Sequence, residues 1–307
     1  MNPLSWSAGT EMEPGFSWFM AFFKTYICNV YETFMGVEFL LFMAGTIFLI
    51  KKYSSNYCLS LFFLILLLYY TVSFNMMRQS CAISLSFFLL PLVLNPNKKN
   101  ILFYILGILF VTFYIHRSLI IMLLLPICLY SNVRKLFISK KYTYVVLISS
   151  FVILLSTQVF FSYTTEVGNL FSFLGDRYVG YIQSASDVDA DGRETLSYLN
   201  AIVKTGLAIF VVFVSPSEIL KSPFYVCFIL GAFLSNTLAG FNATFYRLAI
   251  NYMVYGIIFF PILWNSISRR YSFCYKFVVV FLNLLFFVHA MMNNYDEVVP
   301  YVIRIFN

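Results

Sequence analysis

Four short clusters in this chain combine residue types that bind anions, stack on rings or move protons. Asn75-Met-Met-Arg78-Gln79 sets an amide, a guanidinium and a carboxamide within about one to two helical turns, a spacing that lets them share a face. His116-Arg117 follows an apolar run and pairs a proton acceptor that works near neutral pH with a fixed cation. Asp176-Arg177-Tyr178 with Tyr181, and Phe245-Tyr246-Arg247 with Tyr252, set tyrosines beside arginines. Rings stack on the apolar faces of sugars while hydroxyls and guanidiniums bond their rims. The planar guanidinium fork also matches phosphate oxygens, so the arginines together suggest a phosphate or diphosphate ligand. Snorkelling cations and an interfacial aromatic belt would use the same residue types.

The elements that must hold these clusters are apolar. The chain is 61% hydrophobic and 11% charged, with mean hydropathy +0.83, against about 25% charged residues in an ordinary soluble domain. An all-α polytopic membrane protein of about ten transmembrane helices is expected, as a single transmembrane domain over 1–307. Spans read at Phe34 to Ile50, Ser60 to Phe74, Gln79 to Leu94, Ile101 to Ile115, Leu119 to Tyr130, Tyr142 to Phe161, Ala201 to Val214, Pro223 to Gly240, Leu248 to Trp264 and Phe277 to Met292. The segment Phe16 to Val30, broken by Lys24, is expected to lie partly in the interface. The N-terminus has no basic region followed by an apolar core and cleavage site, so the first spans are expected to act as uncleaved insertion signals.

Alternate connections carry Lys51 and Lys52; Lys98 and Lys99; Arg134, Lys135, Lys140 and Lys141; Lys221; and Arg269, Arg270 and Lys276. The positive-inside rule assigns this side to the cytoplasm. Both termini and the one long loop, 162–200, then face outward, in a bacterial inner membrane the periplasm. The net charge of +7 is spread over these connections, which argues against nucleic acid as a partner. The six cysteines show no Cys-x-x-Cys pair and read as small apolar side chains, and no metal is expected. Asp187, Asp189, Asp191 and Gly192 match part of a calcium loop, but Tyr198 stands where its bidentate Glu is required. No internal repeat of the kind found in many transporters is visible.

The sequence resembles the EpsG-like family of O-antigen and capsule polymerases (Wzy-type). The resemblance is carried by Glu13-Pro14-Gly15-Phe16; Phe74-Asn75-Met76-Met77-Arg78-Gln79 with Ala82; His116 and Ser118; Arg177-Tyr178 with Tyr181; Arg247 with Tyr252 and Pro261; and Val299-Pro300-Tyr301. Members of the family usually carry a further span and an Asp/Tyr-bearing segment ahead of the element that here starts at Glu13.

The resemblance implies a periplasmic-face glycosyltransferase that polymerises undecaprenyl-diphosphate-linked repeat units. It needs neither cofactor nor metal, and its partners are lipid-linked donor and acceptor glycans, membrane lipid and a chain-length regulator. Arg78, Arg247, His116 and Asp176 are the expected catalytic residues, with His116 ranked before Asp176 as the base. Asn75, Gln79, Arg117, Arg177, Tyr178, Tyr181 and Tyr252 are the expected substrate contacts. An O-antigen ligase-type transferase, or a transporter or flippase for lipid-linked glycans, is the alternative.

Overall fold

The computed structural model describes residues 13–160, 193–239 and 243–292, and the elements assigned there are helices, with no strand among the described residues. In chain order they are α1 (Pro14–Tyr26), α2 (Tyr31–Tyr53), α3 (Tyr57–Leu66), α4 (Tyr69–Asn75), α5 (Met77–Leu94), α6 (Lys98–Tyr114), a 3₁₀ segment (Arg117–Leu123), α7 (Leu124–Tyr130), α8 (Arg134–Ile138) and α9 (Lys140–Phe160). There follow α10 (Arg193–Val214), α11 (Ser217–Leu220), α12 (Pro223–Ala239), α13 (Ala243–Met253), α14 (Gly256–Ser266) and α15 (Arg269–Met292).

Among the described residues four helices are long and apolar enough to cross a membrane: Tyr31–Tyr53, Met77–Leu94, Arg247–Ser266 and Arg269–Met292. Shorter apolar helices include Tyr57–Leu66, Arg117–Tyr130, Ile202–Val214 and Pro223–Leu238. Among the described residues the runs expected to span are helical, but three are discontinuous, the run at Leu248 to Trp264 passing from α13 to α14 between Met253 and Gly256. The run at Ser60 to Phe74 breaks at Leu68, which takes φ +63 without being glycine, a left-handed conformation that costs an L-residue about 1 kcal/mol. The run at Leu119 to Tyr130 is half 3₁₀ helix and half α7.

The chain forms two compact units. One comprises Met1–Leu119, Phe260–Asn265 and Ser272–Asn307, the other Ile120–Phe259 and Ser266–Tyr271. In the first, α2 lies along α5. Gly45 permits this: a Cβ there would stand 2.7 Å from the Ser84 carbonyl, and the Ser84 hydroxyl donates to the Leu41 carbonyl at 2.6 Å. Small residues that let helix backbones approach, and hydroxyls that bond across them, are what hold helices together where water supplies no driving force. Phe16, Met20 and Phe23 of α1 close over Phe34 of α2, with ring centroids 6.0 Å apart for Phe16–Phe34 and 5.3 Å for Phe23–Phe34. Phe63 stacks on Phe260 at 5.1 Å.

The second unit is built around α12, which meets α13, α9 and α10. Inside it Asn236 donates to the Ser150 hydroxyl at 3.0 Å and to the Thr205 hydroxyl at 2.8 Å, a buried polar tie between three helices.

Candidate functional site: a buried carboxylate joining an arginine and a histidine

The site starts from Glu13-Pro14-Gly15. Pro14 takes the first turn of α1, where its fixed φ suits the helix and its missing N–H is not needed. Glu13, in extended backbone, is therefore the N-cap, and its side chain makes no cap bond to its own helix. Gly15 lets the start of α1 touch the end of α6: a Cβ there would lie 2.7 Å from the Tyr114 carbonyl oxygen and 2.8 Å from the Tyr114 Cβ. That contact brings the Glu13 carboxylate to the residues that follow α6.

Arg78 arrives from the other side. The chain leaves helical geometry at Met76 and re-enters it at Met77, so Arg78 and Gln79 fall in the first turn of α5. A cation is disfavoured at the positive end of a helix, whereas an anion is welcome there. Glu13 supplies the anion: Arg78 Nη1 donates to Glu13 Oε2 at 2.9 Å, with the Glu13 side chain 7% exposed and that of Arg78 26%. The guanidinium keeps donors beyond the one turned to Glu13.

The second carboxylate oxygen serves the residues after α6. Glu13 Oε1 accepts the Arg117 backbone N–H at 3.1 Å, the first of the 3₁₀ segment, and lies 3.4 Å from His116 Nδ1. Burial works to raise the Glu13 pKa, but the His116 imidazole beside it and the backbone N–H groups at Glu13 and Arg117 outweigh that effect and hold it at about 2. Glu13 is thus a carboxylate at neutral pH, shared by a guanidinium, an imidazole and a backbone N–H. With Nδ1 turned to the carboxylate, Nε2 is the His116 nitrogen not committed to Glu13. At 3.4 Å Nδ1 is in ion-pair reach of the carboxylate without completing a hydrogen bond, and a carboxylate that close can orient a histidine for proton transfer.

The other expected residues are distributed as follows. Gln79 is buried next to Arg78 on α5, and Asn75 ends α4. The Arg117 side chain is exposed. Arg247 is exposed on α13 in the second unit, where Tyr252 is wholly buried with its hydroxyl donating to the Ile121 carbonyl at 2.8 Å. Asp176, Arg177, Tyr178 and Tyr181 lie outside the described residues, as does the loop segment 161–192. Among the described residues no three His, Cys, Asp or Glu side chains gather as metal ligands do.

Two buried acids are not singled out by the sequence as functional, one at the site and one inside α2. Glu13 counted there only as part of a motif, although an acid directly before a proline that opens a helix is a capping position. Glu38, in the middle of an apolar run, is 2% exposed inside α2 with its Oε1 4.0 Å from Cys81 Sγ. A lone acid within a membrane-length apolar run was the available signal.

A helical membrane protein with a carboxylate, an arginine and a histidine joined beside two helix ends is the class that these features define. The chain belongs to the EpsG family, which it matches over residues 1–303 and whose members are membrane proteins of polysaccharide biosynthesis. No curated protein and no solved structure matches it.

Proposed function

We propose that this protein is a periplasmic-face glycosyltransferase of the bacterial inner membrane, crossing the bilayer about ten times, that polymerises undecaprenyl-diphosphate-linked repeat units into O-antigen or a related surface polysaccharide. The observation that carries the reading is the Glu13 carboxylate holding Arg78 at 2.9 Å while its other oxygen meets the Arg117 N–H and His116. Lys and Arg in the alternate connections support the outward placement.

In this reaction an acceptor sugar hydroxyl attacks the anomeric carbon of the donor. The bond from that carbon to the phosphate oxygen breaks, and the lipid diphosphate leaves with the electron pair. Arg78, already held in place by Glu13, meets the negative charge that grows on the leaving oxygen, and a donor fixed beforehand loses nothing to reorganisation at that moment. His116, oriented through Nδ1, takes the acceptor proton on Nε2. Arg117 and Gln79 flank the site in sequence and are its proposed substrate contacts, with Asn75 beside them. Arg247 is proposed as a further anion contact, and Arg177, Tyr178 and Tyr181 as glycan contacts, with Asp176 second to His116 as base.

Arg78→Ala and His116→Ala, returned to a strain deleted for the gene, test this. Long-chain polymer on a gel is expected to vanish while single repeat units persist on the core and protein levels stay normal. Unchanged polymer would exclude the assignment, and loss of the single units as well would point to a ligase. A lipid-linked glycan transporter is the second reading, favoured by the buried acid Glu38 inside a span. Uptake assayed in vesicles under a pH gradient separates the two.

A further inference from the structure

Glu38 has no place in the chemistry above, and its surroundings are unusual for an acid. It lies two turns into α2, is 2% exposed, and its Oε2 meets no hydrogen-bond donor among the described residues. Its Oε1 has only the weak Cys81 thiol donor at 4.0 Å. An ionised carboxylate left so poorly solvated would cost several kcal/mol, a penalty that the neutral acid avoids. A neutral carboxyl, however, carries an O–H that must donate to something.

The position of that O–H says what. Cys81 and Arg78 are three residues apart on α5 and so share a face, with Arg78 one turn nearer the start of the helix. The same face continues to Ser84, which meets Leu41 and Gly45 of α2. Glu38 therefore faces α5 from the α2 side, across from Cys81 and one helical turn from Arg78. We propose that Glu38, as a neutral carboxylic acid, donates a hydrogen bond to the phosphate group that Arg78 binds. The proposal rests on the lipid-diphosphate reading of the site and adds α2 as a wall of it.

Other titratable groups on the elements around Glu38 are Tyr31 and Glu32 on α2 itself with Lys51, Lys52 and Tyr53 at its far end, Arg78 and Cys81 on α5, Tyr69 and Tyr70 on α4, Lys24 and Tyr26 on α1 with Glu13 at its cap, and Tyr57 and Cys58 on α3. Comparing glutamate with glutamine isolates Glu38 from all of them, because the amide keeps a donor and cannot ionise.

The test uses the full chain in nanodiscs of uncharged lipid, with undecaprenyl diphosphate as probe and undecaprenol as the phosphate-free control. Affinity is read at about pH 7 and about pH 9.5, the higher value chosen to ionise a carboxyl kept neutral by burial and so remove its donor. Glu38→Gln is expected to bind as wild type at the lower pH and, relative to wild type, to hold its affinity at the higher. Glu38→Leu is expected to bind about tenfold more weakly, one lost hydrogen bond to a charged acceptor. Wild-type affinity in Glu38→Leu would overturn the proposal. So would parallel pH curves for wild type and Glu38→Gln, a comparison that decides the matter alone if the leucine variant does not fold. Affinity in Glu38→Gln as weak as in Glu38→Leu would mean that an ionised carboxylate is required, and would also overturn it. Binding that does not distinguish diphosphate from undecaprenol, or that survives Arg78→Ala, removes the underlying reading instead.

Discussion

Glu13→Gln isolates the charge at the centre of the site, because glutamine keeps the size of glutamate and an oxygen that can still accept the Arg117 N–H. What it removes is the attraction for Arg78 and His116. Holding the carboxyl at about 2 instead of 4.5 corresponds to about 3 kcal/mol of stabilisation of the ionised form. Loss of one partner from a buried pair falls in the same range, about 3–5 kcal/mol. A carboxyl whose folded pKa is depressed contributes this stability in full above its ordinary value and loses it as pH falls through the folded one. Thermal unfolding in detergent should therefore separate wild type from Glu13→Gln by several degrees at neutral pH, and the gap should close between about pH 4.5 and about pH 2. If the same interaction holds Arg78 and His116 for the reaction, polymer synthesis falls by up to about a hundredfold. Equal unfolding temperatures at neutral pH, or a gap that does not narrow in acid, would refute the reasoning.

Gly15→Val should behave like the loss of Glu13, since its side chain must push the start of α1 away from the Tyr114 backbone; polymer on a gel and protein level in membranes report it. Gly45→Ala should destabilise by about 1–3 kcal/mol because its methyl meets the Ser84 backbone, while Gly36→Ala on the same helix meets nothing within 4 Å and should be silent in the same thermal assay. Asn236→Ala should cost about 1 kcal/mol by leaving the Ser150 and Thr205 hydroxyls without their shared donor, with polymer length unchanged. Tyr252→Phe removes one hydrogen bond to the Ile121 carbonyl, worth about 1 kcal/mol; a larger loss of activity than of stability would show that its hydroxyl meets substrate.

The sequence by itself determined the helical, apolar membrane class and most of its longer helices, and it singled out Arg78 as a cation needing a reason to be where it is and His116 as a candidate base. Hydrophobic runs and charge placement are local properties, readable without knowing which helix lies beside which. The helix interruptions were not readable; Leu68, for one, breaks its run with neither glycine nor proline to mark the place. Only the tertiary structure decided that Glu13, 65 residues from Arg78 and 104 from Arg117, is the group that joins them. That proximity depends on Gly15 meeting Tyr114 across two helices. Gly45 likewise lets α2 and α5 close on each other, which buries Glu38 against Cys81 of α5. Contacts of this kind are set by which backbones can approach, and no spacing along one helix encodes them.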